Sequence, residues 1–291
     1  MPNSLTQLSD ELATAAESVG KSVVAIYGGG RVPSSGVHWK SGLIVTAEHS
    51  LRRDEDIKIG LPDGSIAPAE LVGRDPGSDL AVLKIDGTTL PVVAMADQDQ
   101  KLGELVLAVG RHREIGACAA MGIVSVVGPG WNTWRGGKVD RFVRLDLALY
   151  PGSSGAAVVN AHGKAIGIAT SSLSRIAPVA IPRTTVDRIS SELAAHGYVA
   201  RAYLGVGMQP VALPEDFGTR GLIVLSVEKD SPAARGGAVI GDILVALGGS
   251  KMQDTRDVQV FLAADSIGKT ITASIIRGGK RAELAITVGE K

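Results

Sequence analysis

The sequence predicts a mainly β protein in which two β-barrels are followed by a small α+β unit. Short runs rich in Val, Ile, Leu and Ala recur between Gly, Asp and Pro turns, in two groups of about six. Aromatic residues make up only 3% of the chain, so its cores must be aliphatic, which suits β layers. A length of 291 residues fits about two domains, and a fresh set of strand and helix signals begins near residue 203.

Ser4-Leu5-Thr6-Gln7 has the pattern of a capping box. Leu5, Leu8, Leu12 and Ala15 follow at helical spacing, which predicts an amphipathic helix over 4–18 ended by Gly20. The period then shortens. Runs at 22–27, 42–46, 57–61, 67–72 and 80–85 predict the strands of one barrel. Those at 105–109, 117–127, 142–147, 156–160, 165–170 and 178–181 predict a second. A cleft between two packed barrels would be lined from both sides. Thr184 or Thr185 is placed to cap a helix carrying Val186, Ile189 and Leu193, with Gly197 as its stop. Residues 198–202 read as a short link. Strands are then expected near 204–209, 221–227, 242–247, 270–276 and 282–287. One helix opens at Ser231-Pro232, with proline at the first helical position. Another spans 254–264 and carries Val258, Phe261 and Leu262. The expected divisions are 1–20 (N-terminal helix), 21–198 (two barrels plus a helix) and 199–291 (the last unit).

Composition excludes several functions. Lys+Arg and Asp+Glu both number 30, so the basic excess usual in a nucleic-acid binder is missing. Arg52-Arg53 and Arg111-His112-Arg113 read as solvated loop charges. Cys118 is the only cysteine, which rules out an intramolecular disulfide and a thiolate metal cluster. Its Ala-rich surroundings predict a buried thiol. No apolar run is long enough to span a membrane. The start of the chain, with Asp10, Glu11 and Glu17, lacks the basic and apolar parts of a signal peptide. The sequence as it stands therefore reads as cytoplasmic, and a chain trimmed of its export signal, hence periplasmic, would look the same.

Three segments carry chemistry. His49 follows the apolar run 43–46, Asp79 follows a Gly-Ser turn and precedes 80–85, and Ser154 sits in Pro151-Gly152-Ser153-Ser154-Gly155. Taken singly they read as a loop histidine, a strand-entry aspartate and a polar turn. Together they supply a serine nucleophile, an imidazole to take its proton and a carboxylate to hold the imidazole tautomer. Gly152 permits the backbone that turns its N–H toward the same point as that of Ser154. Two such donors form an oxyanion hole, each worth about 2.7–4 kcal/mol. The order His, Asp, Ser is that of the chymotrypsin scaffold, whereas an α/β-hydrolase runs Ser, Asp, His around Gly-x-Ser-x-Gly. With Gly at 152 and Ala at 156 that elbow is absent.

On these residues the chain resembles the HtrA family of trypsin-like serine proteases that carry a PDZ domain, from about residue 20 to its end. Thr46-Ala47-Glu48-His49-Ser50-Leu51 is similar to the family's Thr-Asn-x-His-Val. Asp79-Leu80-Ala81-Val82-Leu83-Lys84 matches its aspartate segment closely, and 145–156 resembles its serine segment with Ser153 for Asn and Ala156 for Gly. A Cβ at 156 would strain the loop if that position needs φ > 0. The resemblance implies a chymotrypsin-like double barrel, the triad His49, Asp79 and Ser154, and an oxyanion hole from Gly152 and Ser154. It implies no cofactor and no metal. It places Leu149 at the base of the specificity pocket, with Ile168 and Thr170 beside it, and so a preference for Val, Ala, Leu or Ile before the scissile bond. The strand around 168–171 is expected to bind substrate backbone by strand addition.

Tyr203-Leu204-Gly205-Val206 resembles the carboxylate-binding loop of the family's PDZ domains, supported by Gly241-Asp242-Ile243-Leu244 downstream. Leu204, Gly205 and Val206 would receive the C-terminus of an apolar peptide, which would add beside Val206 and Met208 against Val258, Phe261 and Leu262. The implied partners are unfolded polypeptide substrates and peptide C-termini. The resemblance also implies a homotrimer, although the aromatic residues through which relatives pack are missing before Tyr27. Two rival readings remain at this level. One is a catalytically silent chaperone or binding protein on a protease fold, and the other an esterase for small molecules.

Overall fold

The computed structural model describes residues 4–87, 89–112, 114–262 and 266–290. They fall into two units, Met1–Val199 and Ala200–Lys291.

The first unit opens with helix α1 (Ser4–Gly20), which buries Ala15, Val19 and Gly20. Ser4 already lies inside the helix, and the Gln7 amide reaches forward to Glu11 rather than back. The expected capping box is therefore not formed. Next come β1 (Val23–Tyr27), β2 (Ser34–Lys40), β3 (Leu43–Ala47), β4 (Ile57–Gly60), β5 (Ile66–Asp75) and β6 (Leu80–Lys84). They close a barrel in the order β1-β2-β3-β6-β5-β4. Strand β2 is the one the sequence reading passes over, because Ser34-Ser35-Gly36 offers no apolar run. It is buried because a tertiary contact needs it: Ser35 Oγ donates to Gly152 O at 2.9 Å.

The second barrel uses β7 (Leu105–His112), β8 (Gly116–Gly128), β11 (Phe142–Asp146), β12 (Ala157–Asn160), β13 (Ala165–Thr170) and β14 (Val179–Pro182). Its order is β11-β14-β13-β12-β7-β8. Between β8 and β11 a separate hairpin forms from β9 (Trp131–Asn132) and β10 (Lys138–Val139). Helix α2 (Arg183–His196) ends at Gly197, whose φ of 80° provides a left-handed stop. Its start differs from expectation. Pro182 holds the N-cap position without a side-chain cap, and buried Thr185 instead accepts the Asp140 N–H at 2.9 Å.

Each barrel has an aliphatic interior, with Val24, Ile26, Ile44, Ile59 and Leu83 in the first and Val106, Val124, Leu145, Val158 and Ile166 in the second. A third cluster joins the barrels to each other and to α2 through Val37, Val45, Leu80, Val109, Ile168, Ile181, Ile189 and Leu193. Each such side chain stabilises the fold by about 1.5–3 kcal/mol. This seam holds the two barrels in one unit.

Two surface readings are corrected. Cys118 is exposed, not buried. Strand β11 pairs β8 only over 123–128, so the part carrying Cys118 projects with β7 alone beside it. Arg111 is no loop charge. It sits on β7 and donates to Val23 O and Gly20 O, both at 2.7 Å, which anchors the end of α1. Arg113 lies outside the described residues.

The second unit contains β15 (Ala202–Tyr203), β16 (Val206–Ala212), β17 (Arg220–Val227), α3 (Pro232–Arg235), β18 (Ile243–Leu247), β19 (Ser250–Lys251), α4 (Thr255–Phe261), β20 (Thr270–Arg277), β21 (Lys280–Thr287) and β22 (Gly289–Glu290). Its sheet runs β16-β17-β18-β20-β21. Ser231 caps α3, and Asp254 and Asp257 form a capping box on α4. Helix α4 ends at Phe261, short of the expected 264; Ala263 and Ala264 lie outside the described residues.

Candidate active site

Strand β3 ends at Ala47, and a 3-10 turn over Glu48–Ser50 carries His49. The β3–β6 register pairs Ala47 with Leu80, which brings Asp79 beside that turn. Asp79 is fully buried and has a φ of 59°, a left-handed conformation that aspartate tolerates better than most residues. A buried carboxylate is costly unless its oxygens are matched by donors. Asp79 has three. The His49 N–H donates at 3.0 Å, His49 Nδ1 lies 2.9 Å from both oxygens, and the Thr170 hydroxyl donates to Oδ2. With Nδ1 facing a carboxylate, the neutral imidazole carries its proton there and leaves Nε2 as the acceptor. The hydrogen bond to Asp79 raises the His49 pKa above its ordinary value against the opposing effect of burial. The charges of Asp79 and Glu48 raise it further, and Arg135 lowers it.

Ser154 sits on a turn shaped by two left-handed glycines, Gly152 at φ 90° and Gly155 at φ 87°. A Cβ on Gly155 would stand 2.0 Å from Ser35 O, so only glycine fits. Ala156 is buried with ordinary φ, so the strain considered for that position does not arise. Strand β2 fixes the turn from the other barrel. Ser35 N–H donates to Ser154 O at 3.1 Å, while Ser35 Oγ holds Gly152 O. Among the described residues, the N–H groups of Gly152 and Ser154 donate to no protein acceptor. His49, Gly152 and Ser154 line one cavity of about 330 Å³, together with Ser34, Leu149 and Ser171. Within it the Ser154 hydroxyl pairs with Ser171 Oγ at 3.2 Å, not with His49.

The specificity residues divide. Leu149 is half-buried and lines the cavity. Ile168 does not, being fully buried in the seam between the barrels. Thr170 is also fully buried, and its hydroxyl is committed to Asp79. For strand addition over 168–171, β14 pairs one edge of β13 through Thr170 and β12 pairs the other only as far as Ile168, while Ser171 lies beyond β13 and lines the cavity. The sequence reading missed Ser171 and the role of Thr170. The unbroken apolar run of β13 was the available signal, since a threonine closing a fully buried strand needs a buried partner for its hydroxyl.

In the second unit β16 is an edge strand, paired among the described residues only with β17, and α4 packs beside it. Gly205 has a φ of 78°, and a Cβ there would lie 2.2 Å from Ser231 Cβ. The N–H groups of Leu204 and Gly205 donate to no acceptor among the described residues. Val206, Met208, Phe261 and Leu262 are partly buried along the core, whereas Leu204 and Val258 belong to the core itself. An unpaired edge beside an apolar helix, with two N–H groups at one end, is suited to an extended peptide ending in a carboxylate.

The family model for a trypsin-like peptidase domain matches residues 34–168, and that for a PDZ domain matches 202–288. A probable periplasmic serine endoprotease DegP-like of Pseudomonas fluorescens is 34% identical over 259 residues, which is 85% of this chain and 54% of that protein. Its counterpart in Halomonas elongata is 30% identical over 262 residues, 86% of this chain and 55% of that protein. The chain thus spans about half the length of the curated relatives it matches. Among solved structures, the serine endoprotease from Yersinia pestis superposes with a TM-score of 0.76 at 30% identity, covering 100% of this chain and 99% of that one. The HtrA-type protease AlgW with tripeptide gives a TM-score of 0.71 at 32% identity, covering 96% and 97%.

Proposed function

The chain belongs to the HtrA family of trypsin-like serine proteases with a PDZ domain, and from that premise we propose that it is an ATP-independent serine endopeptidase acting on unfolded polypeptides. The observation that carries the proposal is the position of His49. Its Nδ1 is held by buried Asp79, and it shares a cavity with Ser154. Rotation of the Ser154 side chain away from Ser171 turns its hydroxyl toward Nε2 of His49. Side-chain rotations of this kind take picoseconds to nanoseconds at exposed sites. Nε2 then takes the hydroxyl proton as Oγ attacks the scissile carbonyl, and Asp79 stabilises the imidazolium. The Gly152 and Ser154 N–H groups receive the oxyanion. The same proton passes to the leaving amine, and water repeats the sequence to release the acyl group.

Leu149 favours an apolar residue before the scissile bond, because a substrate Lys or Arg charge would be unpaired there. The groove between β16 and α4 takes an apolar peptide C-terminus. A periplasmic location and a homotrimer are further parts of the proposal, read by cell fractionation and light scattering. The silent-scaffold reading is disfavoured by the intact His49–Asp79 pairing, and the esterase reading by the peptide groove. Hydrolysis of casein tests the proposal. The chain should degrade it, and Ser154→Ala should lower turnover about 10⁶-fold. Undiminished cleavage by that variant would overturn the assignment.

A further inference from the structure

Glu48 is a charged residue in an unfavourable place. It immediately precedes His49 and is buried, with 8% of its surface exposed. Burying a carboxylate costs several kcal/mol unless cations accompany it. Two do. Arg74, on β5, approaches Glu48 Oε1 at 3.3 Å, and Arg135, from the β9–β10 hairpin, approaches Oε2 at 3.6 Å. The carboxylate therefore bridges the first barrel and a hairpin inserted between two strands of the second. The Glu48 N–H also donates to Asp79 O at 3.1 Å, next to the His49 N–H donated to the Asp79 carboxylate.

The hairpin is itself locked against the aspartate turn. Thr133 Oγ1 donates to Gly77 O at 2.7 Å, and Gly137 packs so closely that a Cβ there would lie 2.2 Å from the Gly77 carbonyl carbon. Arg135 is thus delivered to Glu48 by a hairpin with a fixed seat. Arg74 is anchored as well, since it also donates to Leu51 O, Arg53 O and Asp54.

From this arrangement we propose that Glu48 is a positioning residue for His49, clamped by Arg74 and Arg135, and that the hairpin, by bringing in Arg135, sets a charge against that of Glu48 at the imidazole. The proposal rests on the catalytic reading above but does not need turnover for its test. The charged groups facing His49 are Asp79, Glu48 and Arg135, with Arg74 and Asp54 acting behind Glu48. The two ends of the Glu48–Arg135 pair act on the imidazole in opposite senses. A carboxylate stabilises the imidazolium, and a guanidinium destabilises it. A role confined to packing would not make the shift follow the charge at position 135, lost in Arg135→Gln and kept in Arg135→Lys.

The test is a titration of His49 by NMR in the full chain carrying Ser154→Ala, which prevents self-cleavage. The chain holds 5 histidines, so ring-labelled histidine gives a readable spectrum. Glu48→Gln should lower the His49 pKa by about half a unit or more, Arg135→Gln should raise it by a similar amount, and both shifts should shrink in high salt. Arg135→Lys, which keeps the charge, should return the titration to the parent value. Should Glu48→Gln fail to fold, the Arg135 pair decides alone. No shift in Arg135→Gln, or shifts of the same sign in both Gln variants, would overturn the proposal. Inactivity of the unmodified chain toward casein with the opposite-sign shifts intact would instead count against the proteolytic reading alone.

Discussion

His49 and Asp79 determine most of what single substitutions should do. The His49 pKa is raised above its ordinary 6.5 by the hydrogen bond to Asp79. The imidazole must be neutral to accept the Ser154 proton, so activity is lost as pH falls through the raised value. The acid limb of kcat/KM should therefore have its midpoint above 6.5, not at the free-histidine value that sequence alone would suggest. The contribution of this pair to stability has the opposite sense. It is full below the unfolded pKa and fades as pH rises through the folded one. Asp79→Asn keeps the shape and removes the charge, and it should cost about 10⁴-fold in kcat while moving the midpoint down. A pH–rate profile on a chromogenic peptide measures both. The identities of His49, Asp79 and Ser154 were legible because each stood in a recognisable stretch. The partners Thr170, Ser171, Glu48, Arg74 and Arg135 were not, since their roles depend on which distant strands meet.

At the level of elements, two glycine turns shape the proposed sites. Gly155→Ala would need a left-handed alanine whose Cβ stands 2.0 Å from Ser35 O. Since β2 holds both ends of the nucleophile turn, the clash should displace it. Casein hydrolysis should fall by orders of magnitude, with stability lowered by about 1–3 kcal/mol in chemical denaturation. Gly205→Ala meets the same difficulty in the second unit, with Ser231 Cβ 2.2 Å away. It should weaken binding of an apolar-ended peptide at least about tenfold in fluorescence anisotropy, because the N–H groups of the loop lose their aim. Most strands were readable from apolar runs and turn residues. Strand β2 was not, because its first half, Ser34-Ser35-Gly36, has no apolar run and is buried through the contact of Ser35 with the Gly152 turn, and only Val37 and Trp39 beyond it reach the core. Ile168 and Thr170 face away from the cavity for a related reason: which side of β13 meets the other barrel depends on packing, and it puts Ile168 in the seam and the Thr170 hydroxyl on Asp79.

Across the whole molecule, each unit has its own core. The cluster of Leu204, Leu222, Leu244, Leu247, Ile275 and Ile286 draws only on residues after Ala200, and the other three clusters draw only on residues before it. Residues 200–291 produced alone should therefore fold, with dispersed amide resonances and the peptide affinity of the full chain. A collapsed or unfolded fragment would contradict that independence. This organisation was visible in the sequence as a change of signals after Gly197. The closure of two sheets into barrels followed from the number and spacing of strands, whereas the seam that joins them did not, because shared packing leaves no periodic trace.

The account depends on distant stretches of chain activating one hydroxyl, and an active-site probe reads that directly. A fluorophosphonate reacts with an activated serine, and peptide mapping by mass spectrometry locates the adduct. One adduct is expected, on Ser154, and it should vanish in His49→Ala. A folded chain that stays unlabelled, or one labelled at another serine, would contradict the account.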